Sequence, residues 1–174
     1  MTETVDRSPA TPERVSAEGV ARPQLGTLRV DVTRLEQKRL QGVYKSGDRA
    51  FEIEIDEPEE RHGTNQGPSP LAYFVAGTAS CLLMQYVNVL EERPLAVESM
   101  KIVARAHNDR VARVFTDMVF RVSLSGPIST ADAEQLARDA SKRCFVENTL
   151  EKAIPLSTEL ELNGVQIATL SRHP

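Results

Sequence analysis

Two cysteines, Cys81 and Cys144, are the residues of this chain whose types could do chemistry. A thiolate is a nucleophile, and two thiols within reach of each other can cycle between dithiol and disulfide. A secreted disulfide scaffold is shorter and richer in cysteine, so this lone pair reads either as two inert buried residues or as a redox couple. Cys81 falls in the uncharged run Leu71 to Leu90, LAYFVAGTASCLLMQYVNVL. It sits about ten residues inside the helix that this run predicts, too deep for the N-terminal dipole to activate it. A reactive Cys81 therefore needs a nearby cation, and a carboxylate could hold that cation in place. Glu57, Glu59, Glu60 and Arg61 precede the helix, and Arg34, Lys38 and Arg39 lie in the first strand region. Each of these also reads as solvated surface. Cys144 follows Lys142 and Arg143 at a helix junction, where a thiol can be partly exposed; its other reading is a core residue at the end of the Leu136/Ala140 stripe.

Other chemistries find little support. His62, His107 and His173 are widely spread, on what read as loops and a tail, and neither HExxH nor CxxC occurs. No metal site is expected. No GxSxG elbow supports a serine hydrolase. Gly63 to Gly67, GTNQG, precedes a helix but lacks the preceding strand and the spacing of a dinucleotide fingerprint, so no bound nucleotide cofactor is expected either. A net charge of −4 without a basic stripe argues against a nucleic-acid partner.

The chain of 174 residues is 40% apolar and 26% charged, as one soluble domain should be. Residues 1–23, rich in Ser, Thr, Pro, Glu and Ala, read as a disordered tail without the apolar core of a signal peptide. Residues 24–174 then form the single domain. Leu28 to Leu35 and Phe51 to Ile55 alternate as half-buried strands, with a short strand at Gly42 to Lys45 and a turn at Ser46-Gly47-Asp48. Asp56 to Pro70 is a long polar loop of a kind that often carries function. Pro70 opens the long helix, which ends before Pro94. Its twenty uncharged residues match a bilayer span in length. The polar Thr78, Ser80, Gln85 and Asn88 within it, and the amphipathic elements after it, favour a buried core helix and no membrane partner. A domain this small cannot surround such a helix completely, so a second subunit is expected on one side.

Strands follow at Val97 to Ala106 and Val111 to Leu124, with His107-Asn108-Asp109 as their turn. Ser129 and Asp132 resemble a capping box for a helix over Thr130 to Arg143. A shorter helical piece spans Phe145 to Ala153. Leu156 to Leu162 and Val165 to Leu170 form a hairpin through Asn163-Gly164. Strands segregated from helices in this order make an α+β fold.

Two runs together resemble a known family. Gly63 to Cys81, GTNQGPSPLAYFVAGTASC, is similar to the signature of the OsmC/Ohr family (osmotically inducible protein C and organic hydroperoxide resistance proteins). That signature is a Gly-rich loop, a Pro-Ser-Pro-Leu-like helix start and a small-residue helix reaching a cysteine. Cys144-Phe145-Val146-Glu147-Asn148-Thr149-Leu150 resembles the family's second cysteine motif, and the resemblance extends over residues 25–170. Phe145 stands where proline is usual, and Arg61-His62 replace a small, often Gly-rich step. Both departures place the chain nearer the OsmC-like branch than the Ohr branch.

The resemblance implies antiparallel sheets around a long central cysteine-bearing helix, in an intertwined homodimer with its active site at the subunit interface. It implies reduction of organic hydroperoxides in the cytoplasm, with Cys81 attacking the peroxide and Cys144 closing a disulfide on the resulting sulfenic acid. Glu60 and Arg39 are matched to the carboxylate and cation that activate the first thiol. An external thiol or dithiol, lipoyl-type in the Ohr branch, would restore the pair. Phe74, Leu82 and Met84 would offer apolar walls to an organic substrate. The rival expectation is a non-catalytic dimeric module of the same fold that binds a small apolar ligand.

Overall fold

The computed structural model describes residues 26–173, so the expected tail at 1–23 lies outside the described residues. Three antiparallel strands come first: β1 (Val30–Glu36), β2 (Arg39–Ser46) and β3 (Arg49–Ile55). Tyr44 and Phe51 pair across β2 and β3, and their rings stack with centroids 6.3 Å apart. This meander has the expected order. The second strand is longer than the expected Gly42 to Lys45, and Arg39 is its first residue.

The loop after β3 is organised by one side chain. The buried Asp56 carboxylate accepts from the backbone amides of Glu57, Thr64 and Gln66 and from the Thr64 hydroxyl. The loop closes so tightly that a Cβ on Gly63 would sit 1.7 Å from the Glu57 carbonyl oxygen, which only glycine tolerates. A single 3₁₀ turn, Glu59–Arg61, carries Glu60.

Helix α1 (Pro70–Glu92) follows, with Pro70 at its first turn and the Ser69 hydroxyl accepting from the Ala72 amide. One stripe of α1 is buried: Thr78, Ala79, Leu82, Tyr86 and Val89, spaced as the helical period requires. Three apolar residues of α1 stay exposed: Leu71 and Phe74 in its first two turns, and Met84 on the side away from the stripe. By length and composition alone α1 could cross a membrane. Its buried stripe packs against a four-stranded sheet and a second helix, as a core helix does.

That sheet has the order β4-β5-β6-β7, from β4 (Ser99–Asp109), β5 (Val114–Ser125), β6 (Leu156–Leu162) and β7 (Val165–Arg172). β5 and β6 run parallel, and the other neighbours are antiparallel. Helices α2 (Thr130–Arg143) and α3 (Phe145–Leu150) make the crossover. α2 carries the expected cap: the Ser129 hydroxyl accepts from the Asp132 amide at 3.1 Å and donates to the Asp132 carboxylate at 2.7 Å. The β6–β7 hairpin turns at Asn163 and Gly164, both at positive φ (48° and 81°), the geometry that an Asn-Gly pair favours. The β4–β5 turn differs from expectation. β4 continues through His107, Asn108 and Asp109, and the chain reverses over residues 110–113. The Asp109 carboxylate accepts from the Val111 and Ala112 amides, and Arg113 takes φ 59°. His107 accordingly stands on a strand, 2.6 Å from Asp117, and not on a loop.

Candidate functional site

The fold brings Cys81 and Cys144, 63 residues apart in sequence, to a sulfur–sulfur distance of 3.6 Å. Cys81 lies midway along α1, next to the buried stripe and half-buried itself. Cys144 closes α2 and opens α3, in extended backbone (φ −75°, ψ 109°), with no exposed surface. The break between α2 and α3 is what swings Cys144 toward α1, since a continuous helix would carry its side chain along the helix surface. Both thiols are free. A disulfide needs about 2.05 Å between sulfurs, so closure calls for an approach of about 1.5 Å.

The two thiols differ in character. Burial pushes the Cys144 thiol up to about 12, and the proximity of Cys81 and the Glu147 charge add to the rise. The Glu147 amide donates toward the Cys144 sulfur and opposes part of it. Cys144 is therefore a protonated, enclosed thiol. Cys81 is the one with a path to solvent.

Of the expected activating residues, neither meets the thiols within one chain. Arg39 donates to Glu54 at 2.6 Å and lies 3.6 Å from Glu36. Glu60 is exposed on its 3₁₀ turn and forms no salt bridge among the described residues. The meander meets α1 where the Tyr73 hydroxyl donates to the Glu54 carbonyl at 2.6 Å. Arg61 pairs with Glu57 at 3.4 Å and lines a cavity of about 400 Å³ with Leu71, Arg110, Arg113 and Phe115, at the start of α1. Phe74 stacks on Phe115 at 5.2 Å beside it. Of the expected apolar walls, Leu82 belongs to the chain's own core, whereas Phe74 and Met84 face outward.

Sequence reasoning missed two acids. Asp56 sets the loop, and its hydrogen bonds, the Thr64 hydroxyl first among them, hold its carboxyl at about 2. Glu147 is 1% exposed, its carboxylate 3.7 Å from Arg172 and 3.4 Å from the Thr158 hydroxyl, and its trace in the sequence is its place in the second cysteine motif. Among the described residues no group of three His, Cys, Asp or Glu is disposed to hold a metal ion.

Two free thiols at near-contact distance, one part-exposed and one enclosed, on an α+β frame define a dithiol protein. Comparison places it further. The family model described as "OsmC-like protein" matches residues 63–159, a span that holds both cysteines. The chain belongs to the OsmC-like family. Solved structures of the same fold include an OsmC-like protein from Mycoplasma pneumoniae, 17% identical, with a TM-score of 0.69, covering 79% of this chain and 97% of that one. An organic hydroperoxide resistance protein from Elizabethkingia anophelis with bound thiocyanate is 17% identical, with a TM-score of 0.64, covering 80% and 99%. An OsmC-like protein of unknown function from Vibrio cholerae is 18% identical, with a TM-score of 0.64, covering 78% and 99%. At these identities the likeness is one of fold. No curated protein matches the chain.

Proposed function

We propose that this protein is a thiol-dependent hydroperoxide reductase that works as a homodimer, with Cys81 the peroxidatic thiol and Cys144 the resolving thiol. The observation that carries the reading is the 3.6 Å separation of two free sulfurs from distant parts of the chain. Attack by the Cys81 thiolate on the peroxide O–O bond forms the Cys81 sulfenic acid and releases an alcohol. The Cys144 thiol then displaces hydroxide from that sulfur, and the disulfide forms with loss of water. The division of roles follows from access, because a peroxide can reach half-buried Cys81 but not enclosed Cys144. An external thiol or dithiol, of lipoyl type by family expectation, reopens the disulfide, and the reducing cytoplasm suits that cycle.

Exposed apolar residues of α1 and of the meander support the dimer reading. Val30, Val32, Leu35 and Phe51 stay about half exposed in one chain, as do Leu71 and Met84 on α1. Apolar surface of this extent marks an interface. An intertwined partner would cover it, and would let Arg39 and Glu60 reach the thiol pair of the other subunit. Elizabethkingia's hydroperoxide resistance protein shares this fold, which supports the reading.

Thiol-dependent consumption of tert-butyl hydroperoxide by the purified protein tests it. Cys81→Ser should abolish turnover with the fold intact, since serine lacks a thiolate at neutral pH. Cys144→Ser should consume about one peroxide per subunit and then stop, its sulfenic acid passing to the sulfinic state in excess peroxide. Retention of most activity in Cys81→Ser would overturn the assignment of Cys81, whereas no thiol-dependent peroxide consumption by the wild type would favour the apolar-ligand module.

A further inference from the structure

Cys144 is the joint between α2 and α3, and two residues hold its backbone. Its amide donates to the Ser141 carbonyl at 3.2 Å, and its carbonyl accepts from the Asn148 amide at 3.0 Å. One guanidinium, that of Arg172 at the end of β7, reaches both of these residues. Its Nη1 donates to the same Ser141 carbonyl at 3.2 Å and to the Ser141 hydroxyl at 3.3 Å, and its Nη2 donates to the Asn148 side-chain carbonyl at 2.7 Å. The Asn148 side-chain amide donates in turn to the Lys142 carbonyl at 3.0 Å, which ties α3 back across the joint to α2. Two carboxylates complete the arrangement. Glu151, which caps α3, pairs with Arg172 Nε, and buried Glu147 lies 3.7 Å from Nη1.

The base of this arrangement is the sheet. Arg172 stands opposite Leu156 in the β6–β7 ladder, and Leu156 is itself a core residue. The last carbonyls of a helix are free to accept from outside it. A planar fork of donors that takes one of them from α2 while gripping α3 fixes the angle of the break between the two helices. That angle is what places the Cys144 sulfur 3.6 Å from Cys81. A joint held by its own two hydrogen bonds alone would sample other angles, and most of them would carry the sulfur away from α1.

We propose that Arg172 is the positioning residue for the resolving thiol: its guanidinium locks the α2–α3 joint so that Cys144 meets the Cys81 sulfenic acid before a second peroxide does. The proposal rests on the two-thiol reading above. In closure the Cys81 S–O bond breaks as the S–S bond forms, and the hydroxide leaves as water with the Cys144 proton. Holding the partner sulfur in place raises its effective concentration at Cys81. The competing step is transfer of a second peroxide oxygen to Cys81, which gives the sulfinic acid and releases a second alcohol. Arg172 acts on this competition through the backbone of Cys144, and leaves the first attack of Cys81 on peroxide alone.

Arg172→Lys tests it, because an ammonium still balances Glu147 but cannot fork to Ser141 and Asn148 together. Two measurements are made on the full chain. In the first, the Cys81–Cys144 pair is equilibrated with reduced and oxidised dithiothreitol, which needs no peroxidase activity. The equilibrium constant for disulfide formation should fall about tenfold, making the disulfide easier to reduce by about 30 mV. In the second, reduced protein meets excess tert-butyl hydroperoxide and is weighed. Wild type should stop at the disulfide, whereas Arg172→Lys should accumulate the sulfinic acid at Cys81. Peroxide attack itself, followed by trapping the sulfenic acid with dimedone in a Cys144→Ser background, should be unchanged by Arg172→Lys. A residue that merely stabilised the fold would lower the unfolding midpoint and leave the thiol equilibrium of the folded protein where it was. A wild-type equilibrium in Arg172→Lys, or a wild-type sulfinic yield where peroxide does oxidise Cys81, would overturn the proposal, and so would slowed peroxide attack. Should Arg172→Lys not fold, Asn148→Ala decides, since it cuts the arm to α3 and leaves the ion pairs: an unshifted equilibrium there would overturn the proposal. If peroxide oxidises Cys81 in no protein, the peroxidase reading fails while the dithiothreitol equilibrium still decides the role of Arg172.

Discussion

The two sheets of this chain use similar alternating strands to opposite effect. In β5 and β6 the apolar positions Met118, Phe120, Val122, Leu124, Leu156 and Leu160 are at most 2% exposed, closed over by α1 and α2. In β1 the whole strand is exposed, with Val30 at 48% and Val32 at 55%. Alternation therefore marks a face that seeks a partner, but not whether the same chain provides it. The body of the chain supplies its own core, whereas the meander leaves its apolar side chains exposed, the surface that the proposed dimer would cover.

The sharpest way to break this contrast is to cut into each side. Phe120→Ala should destabilise the protein by ~3–5 kcal/mol, as large-to-small changes in closed cores do. Denaturant unfolding measures it, and a loss under 1 kcal/mol would mean that the body is not the core. A paired change in the meander and α1, Val32→Ser with Met84→Ser, should leave the fold of the body intact. It should move the sedimenting species at low micromolar concentration from twice the 19.2 kDa chain toward the single chain. A wild-type protein that sediments as a folded monomer would remove the dimer from the account.

A smaller effect concerns the loop that joins the two regions. Asp56→Asn should lower hydrogen-exchange protection at Thr64 and Gln66, whose amides the carboxylate accepts. The sign with pH follows from its depressed ionisation. The stabilisation is present above the ordinary carboxylate value and is lost as pH falls from about 4 toward about 2. Wild type should lose that protection through this window, and Asp56→Asn should show no such dependence. Equal protection in both proteins at pH 6 would deny Asp56 its part in holding the loop.

The sequence made the local features legible. Ser69-Pro70 opens α1 and Arg93-Pro94 closes it, because capping and proline sterics act within a few residues. Asn163-Gly164 turns the last hairpin for the same reason. The parallel β5–β6 pairing was not legible, since nothing local distinguishes a parallel neighbour from an antiparallel one. The apolar Val111 reads as a strand start, yet the Asp109 carboxylate folds the chain into a turn there. Both cysteines were legible as candidates from their type and from their motifs. Their 3.6 Å approach depends on α2 ending one residue before Cys144, which is a matter of tertiary packing. Asp56 and Glu147 escaped notice because a charged residue reads as surface, and only the fold reveals that each is buried. Glu60 and Arg39 came from the family resemblance, and one chain pairs Arg39 with Glu54 instead.

The central claim is that Cys81 and Cys144 form one redox pair. Reduced protein treated with one equivalent of tert-butyl hydroperoxide, then alkylated, digested and weighed, tests it directly. The account predicts a Cys81–Cys144 cross-linked peptide, a loss of two hydrogens from the intact chain, and protection of both thiols from alkylation. Both cysteines remaining fully alkylatable, with no cross-linked peptide, would contradict it.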